Sequence, residues 1–131
     1  MDNYEQTILN GWEEVHKKSQ LTLWILMALK SGPKFMSEIK DFIFDFTNET
    51  ISADDQSMYR ALRRFYDANL VSYKLLPSDS GPDLKVYSLT NSGTKVLQKF
   101  ISRNIKDVFY NHDVQILFVS KPLKEKKLWK R

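Results

Sequence analysis

The stretch from Ser52 to Thr90 constrains the fold more than any other part of the chain. It opens with a helical period: Met58, Leu62 and Phe65 recur at spacings of four and three, the apolar stripe of an amphipathic helix. Ser52-Ala53-Asp54-Asp55 reads as a capping-box-like start with an acid in the first turn, so the helix is expected from Ala53 to about Asn69. The period then switches to two. Val71, Tyr73 and Leu75 alternate in Leu70–Leu76, and Lys85, Tyr87 and Leu89 in Leu84–Leu89, the pattern of half-buried strands. Between them Pro77-Ser78-Asp79-Ser80-Gly81-Pro82-Asp83 is turn chemistry throughout. The expectation is a hairpin with a seven-residue tip.

The charges follow the same division. Placing helix residues 100° apart centres the face opposite Met58, Leu62 and Phe65 on Gln56, Arg60, Arg63 and Asp67, with Tyr59 and Arg64 on its flanks. Residues 1–58 carry 5 basic and 10 acidic side chains, whereas residues 59–131 carry 15 basic and 6 acidic. The whole-chain charge of +4 hides this split. A polyanion is steered to the second half alone.

The rest of the chain reads mainly as helix. Residues 3–18 place Tyr4, Ile8, Trp12 and Val15 on one face, and Asn10-Gly11 is a candidate break with Asn10 capping a second piece. Leu21–Leu29 is apolar nearly all round and reads as a central buried helix. Thr22 interrupts this run, which is too short to span a bilayer. Gly32-Pro33 ends it, and Phe35, Met36, Ile39, Phe42, Ile43 and Phe46 stripe the next helix, Lys34–Phe46. Thr47–Ser52 is a polar connection. After the hairpin, Thr90 caps a long helix in which Val96, Leu97, Phe100, Ile101, Ile105, Val108 and Phe109 repeat at about 3.5 residues, a coiled-coil-like seam. Asn111-His112-Asp113 should end it. Val114–Val119 is a short apolar run, and Lys121–Arg131 carries 6 basic residues against one acid.

These elements make a mainly α chain with a small β-hairpin: a winged helix-turn-helix, with N-terminal and C-terminal dimerisation helices. The expected organisation is an N-terminal helix over 1–18, a winged-helix domain over 19–90, a C-terminal dimerisation helix over 91–111 and a basic tail over 112–131. Such a fold suits double-stranded DNA, with the arginine-bearing helix in the major groove. Arg60 and Arg63 are candidates for base edges and Gln56 for adenine. Ser57, Tyr59, Arg64, Lys74 and Lys85 are candidates for phosphates. Tyr4, Ile8, Trp12 and the seam Val96–Phe109 are expected to bury against a second copy, making a homodimer. Trp12, Trp24 and Phe100 are candidates for lining a hydrophobic effector pocket, or simply for packing. A charged helix face is often only solvated, and a winged helix also serves as a protein-interaction module or binds DNA without regard to sequence. Basic charge that coincides with helix and wing discriminates against the interaction module.

Enzymatic readings find no support. The chain has no cysteine. His16 and His112 lack companions at metal-ligand spacing. No nucleophile–base arrangement and no phosphate-cradling glycine loop is present, and no cofactor is expected. The acidic N-terminus is not a signal peptide. No membrane association is expected, and the absence of cysteine fits a reducing cytoplasm, where the Asn48-Glu49-Thr50 acceptor motif is a chance match.

Taken in order, Leu23–Leu29, Gly32-Pro33, Glu38-Ile39, Ser57-Met58-Tyr59-Arg60-Ala61-Leu62, Asn69-Leu70-Val71, Gly81-Pro82 and Lys85-Val86-Tyr87-Ser88-Leu89-Thr90 with Gly93 resemble the PadR family of transcriptional regulators over about residues 20–106. The resemblance implies a dimeric winged-helix repressor whose C-terminal helix dimerises against N-terminal helices. It also implies an effector, often a small aromatic or other hydrophobic compound, that weakens operator binding. Ser57 and Tyr59 match the start of the family's recognition helix, Lys85 its basic wing residue, and Thr90 and Gly93 the start of its last helix. The chain departs from the family pattern at Met36-Ser37, where a Gly-Tyr pair is usual, and at Asn69, where glycine is usual. The segments before Ser19 and after Asn111 lie outside the match.

Overall fold

The computed structural model describes residues 1–119. These residues divide into two compact units, one over Met1–Thr94 and one that begins at Lys95.

The first unit begins with α1, Asn3–Lys30. Its start is a reciprocal capping box: the Asp2 carboxylate accepts the Glu5 N–H at 2.8 Å and Glu5 accepts the Asp2 N–H at 3.0 Å. The expected break at Asn10-Gly11 does not occur, and α1 runs through both segments read from the sequence as separate helices. One glycine costs a helix only about 1 kcal/mol relative to alanine. Asn10 is used within the helix rather than as a cap, its Oδ1 accepting from Gln6 Nε2 at 2.9 Å. Ile25, Leu26, Ala28 and Leu29 are the part of α1 that enters the core.

Gly32, at φ +145°, turns the chain out of α1. Lys34 and Phe35 then form β1, paired with Tyr87 and Val86, rather than the first residues of a helix. The helix α2 is Met36–Phe46. Its Glu38 accepts the Phe35 N–H at 2.9 Å, half of a capping box, since phenylalanine has no acceptor to return. Ile39 and Ile43 are its buried face.

The connection to the next helix is polar, as expected, except for buried Ile51. Drawing Ile51 inward leaves Ser52 and Ala53 to bring the chain back to the surface. The helix α3 therefore spans Asp55–Asp67 with Asp54, not Ser52, as its cap. Met58, Ala61, Leu62 and Phe65 are buried. Its C-terminus is a Schellman motif: Leu70 N–H bonds Phe65 O at 2.8 Å and Asn69 N–H bonds Tyr66 O at 3.0 Å. Asn69 takes the left-handed conformation, φ 60°, that the motif requires and that asparagine tolerates.

Strands β2 (Val71–Ser78) and β3 (Gly81–Leu89) form the hairpin. With β1 they make a three-stranded antiparallel sheet of order β1-β3-β2. The tip is shorter than the expected seven residues. The ladder extends to Ser78 opposite Gly81, leaving Asp79-Ser80 as the turn, with a register shift between Leu76 and Ser78. Pro77 sits at that irregularity, where its missing N–H does least harm to the ladder.

Beyond the hairpin, Thr90 ties three elements. Its N–H bonds Leu70 O at 3.1 Å, its hydroxyl donates to Asn69 O at 2.7 Å, and the Gly93 N–H donates to that hydroxyl at 2.9 Å. This starts α4, Asn91–Ile101.

The second unit, from Lys95, holds the remainder of α4. It then departs from the expected single long helix. A π-helical turn, Ser102–Lys106, precedes α5 (Asp107–Phe109), and α6 (His112–Leu117) follows. The wider π-turn changes the phase of the residues beyond it, so the seam read at 3.5 residues is not one straight stripe. Asn111 ends one helix and caps the next, accepting the Val114 N–H at 2.8 Å. Most of the Val114–Val119 run is thereby helical. The basic tail Lys121–Arg131 lies outside the described residues. Among the described residues no helix is long and apolar enough to cross a membrane.

Candidate nucleic-acid interface

The sequence places the basic helix α3 directly after α2. Lys40 of α2 holds Asp55, in the first turn of α3, at 2.6 Å. This bond, more than the surrounding charges, raises the Lys40 pKa. At the cap, Asp54 accepts the Ser57 N–H at 2.8 Å and the Ser57 hydroxyl at 3.0 Å. The Ser57 backbone bond, then its hydroxyl, holds the Asp54 carboxyl below its ordinary range. Ser57 is thus engaged as a donor, and reaching a phosphate requires it to leave a carboxylate. Of the candidates read from the sequence it is the least prepared for that role.

The other α3 candidates are exposed and sort by angle around the helix. Gln56 and Arg60 lie on the outward crest. Arg64 and Ser57 lie on the flank away from the wing. Tyr59, Arg63, Tyr66 and Asp67 turn toward the wing, and with Leu62, Tyr73, Tyr87 and Lys85 they line a groove between α3 and the hairpin. A second groove shares Tyr59, Lys85 and Tyr87 and runs past Met36 and Ser37 to the hairpin tip.

The two wing lysines face opposite ways. Register pairs Tyr73 with Tyr87 and Leu75 with Lys85, while Lys74 pairs with Val86. Successive strand residues alternate faces, so Lys85 shares the groove side with both tyrosines and Lys74 takes the other side. Burial raises the Tyr87 pKa, with Tyr59 and Tyr73 adding to the effect, so its phenol stays protonated at neutral pH. The wing tip is not basic: between Leu75 and Leu84 it carries Asp79 and Asp83 and no lysine or arginine. Reading the sequence missed Tyr66 and the groove itself. Tyr66 does stand seven residues, two helical turns, after Tyr59, and that spacing was available.

The candidate dimerisation residues fall into two sets. Tyr4, Ile8, Trp12 and Val15 form an exposed stripe along α1, Trp12 being 72% accessible. In the second unit Val96, Phe100, Val108 and Phe109 are exposed and Ile101 and Ile105 half-buried. Leu97 differs from these in being buried, at 1% accessible. Of the candidate effector residues, Trp24 lines a groove of about 310 Å³ with His16, Gln20 and Ile51. Trp24 Nε1 donates to Gln20 Oε1 at 3.1 Å, and Gln20 Nε2 meets His16 Nε2 at 2.8 Å. Trp12 lines a separate hollow of about 230 Å³ with Leu9, Glu13 and His16. Small-molecule sites usually enclose about 300–1,000 Å³, so of these two hollows the Trp24 groove reaches that range and the Trp12 hollow does not. Among the described residues no cluster of His, Cys, Asp or Glu is placed to hold a metal ion.

Known proteins carry the same architecture. A PadR family transcriptional regulator from Eggerthella lenta superposes with a TM-score of 0.70 at 16% identity, over 90% of this chain and 99% of that one. A PadR family transcription regulator from Clostridium difficile gives 0.55 at 27% identity, over 75% and 98%. Bacillus subtilis PadR in complex with operator DNA gives 0.56 at 20% identity, over 80% of this chain and 50% of that one. No curated protein matches the chain in sequence. The model of the PadR-like transcriptional regulator family matches residues 25–99, which takes in α2, α3, the whole hairpin and the Thr90–Gly93 junction. Members of that family are transcription regulators, not enzymes. With the helix, wing and junction all inside the matched region, this chain belongs to the PadR-like family of transcriptional regulators.

Proposed function

We propose that the protein is a cytoplasmic homodimeric repressor that binds an inverted-repeat operator through α3 and the wing. The observation that carries this reading is the convergence of Arg63, Tyr59 and Lys85 on one groove beside the Gln56–Arg60 crest. The crest enters the major groove, with Arg60 and Gln56 on base edges, Gln56 on adenine, and Arg63 reaching a base edge from the wing-side border of the crest. A phosphate backbone then lies in the groove between helix and wing, against Tyr59 and Lys85, while Arg64 and Lys74 serve neighbouring phosphates and Ser57 stays on the Asp54 cap. The operator complex of the Bacillus subtilis relative supports the reading by fold.

Two α3 helices related by a two-fold axis read half-sites about 10 base pairs, or a multiple of that, apart. The test is selection of a binding site from a randomised duplex pool, followed by competition at several salt concentrations. Arg63→Ala is expected to cost about 1–3 kcal/mol and to relax preference at one base position. Lys85→Ala is expected to weaken all sequences alike and to flatten the salt dependence by about 0.9 in slope. An Arg63→Ala protein with unchanged affinity and preference refutes the placement of α3.

The dimer is supported by the exposed stripe Tyr4, Ile8, Trp12 and Val15 and by exposed Val96, Phe100, Val108 and Phe109, which a lone chain leaves in water at a cost. A hydrophobic effector binding in the Trp24 groove releases the protein from DNA in this reading. By linkage the effector and operator weaken each other by the same factor. Quenching of tryptophan fluorescence by aromatic compounds tests it, and no quenching at any tryptophan refutes it.

A further inference from the structure

We propose that Tyr73 is a positioning residue for DNA binding: its ring holds the Lys85 ammonium in the groove between α3 and the wing. The inference rests on the DNA-binding reading of that groove. A lysine side chain is flexible and loses much rotamer freedom when it is fixed, so a lysine that contacts phosphate is more effective if something aims it beforehand. Lys85 Nζ lies 4.6 Å from the centroid of the Tyr73 ring, within the range of a cation–π contact.

The ring is itself fixed. It packs 5.0 Å from the Tyr66 ring on α3 and 5.8 Å from the Tyr87 ring on β3. Through Tyr66 and Tyr73 the position of α3 is therefore passed to the lysine of the wing. The chemistry of the hold matters. Among the described residues the one ion pair is Lys40–Asp55, so Lys85 is steadied by a neutral ring. A carboxylate in that place would cancel the charge that attracts phosphate, whereas a ring quadrupole directs the charge without neutralising it. Lys74, on the other face of the hairpin, has no aromatic ring of this kind among the described residues and serves as the internal comparison.

The test uses the full chain and a random-sequence DNA duplex titrated at several salt concentrations. Lys85→Ala is expected to lower the salt slope by about 0.9. Tyr73→Ile, which keeps a strand-compatible side chain, is expected to produce most of the same loss. The double variant should be no worse than Lys85→Ala alone, and Tyr73→Phe should bind as the unmodified protein does. The effects of Tyr73→Ile and Lys74→Ala should add. Independently of any variant, the Lys85 ε-methylene protons of the free protein should resonate upfield from ring current. If Lys85→Ala weakens binding while Tyr73→Ile leaves affinity and salt slope intact, or if the upfield shift is absent, the positioning role is overturned. If Lys85→Ala itself leaves binding unchanged, the DNA reading of the wing fails and the positioning role fails with it, a result distinct from the first.

Discussion

Replacing Gly93 with alanine tests the junction that places the wing. An added Cβ at Gly93 would stand 2.0 Å from Leu70 O, 3.0 Å from Leu70 C and 3.1 Å from Leu89 Cδ2. Ordinary contact begins near 3.4 Å, and the closest obstacle is backbone, so the start of α4 must retreat by more than an ångström. Such a retreat pulls on the Thr90 N–H bond to Leu70 O and the Thr90 hydroxyl bond to Asn69 O. Overpacking costs about 1–3 kcal/mol, and each hydrogen bond contributes about 0.5–1.5 kcal/mol net. The expected loss is about 3 kcal/mol, against a total of about 5–15 kcal/mol for a domain. Equilibrium urea unfolding followed by circular dichroism, at one fixed protein concentration, reads it as a lower midpoint at similar slope. Gly11→Ala is the control: nothing lies within 4 Å of its added Cβ, and in the interior of α1 it should stabilise by about 0.5–1 kcal/mol. An unchanged or raised midpoint for Gly93→Ala would show that the backbones do not approach as described.

Other consequences follow from the charges and the exposed stripes. Asp79→Asn with Asp83→Asn removes the acids of the wing tip and should raise affinity for duplex DNA at low salt, less so at high salt; weaker binding would mean the tip uses its carboxylates. Because Asp54 has a lowered folded-state pKa, chiefly from the Ser57 N–H, its contribution is present above the unfolded value of 3.8 and fades as pH falls through the folded one. Asp54→Asn still caps α3, so its helix content should decline less steeply below about pH 4 than that of the unmodified chain; identical acid limbs would count against the cap. Trp12→Asp and Phe100→Asp should each give monomers by sedimentation, since a carboxylate is not buried unpaired; intact dimers would exclude those faces from the interface.

Much of the recognition module was legible in local pattern. The stripe Met58, Leu62 and Phe65, the change to period two after Leu70, and the turn chemistry around Gly81 act over a few residues, so they can be read without knowing what they pack against. Gln56, Arg60 and Arg63 opposite that stripe follow from helix geometry alone. What packing decided lies elsewhere. Lys34-Phe35 is too short to carry a period and becomes β1 only because Tyr87 and Val86, distant in sequence, offer it an edge. Ile51 sits in a polar connection yet fills the core, moving the cap of α3 from Ser52 to Asp54. Asn10-Gly11 looked like a break, but its small propensity cost was not enough to interrupt α1. Thr90 and Gly93 were visible as a motif, while their reason, the approach of Gly93 to Leu70, belongs to two segments that meet only on folding. So does the groove of Tyr59, Tyr66, Tyr73 and Tyr87: these stand on α3, β2 and β3, and only the docking of the hairpin against α3 brings them together with Lys85, which the Tyr73 ring meets.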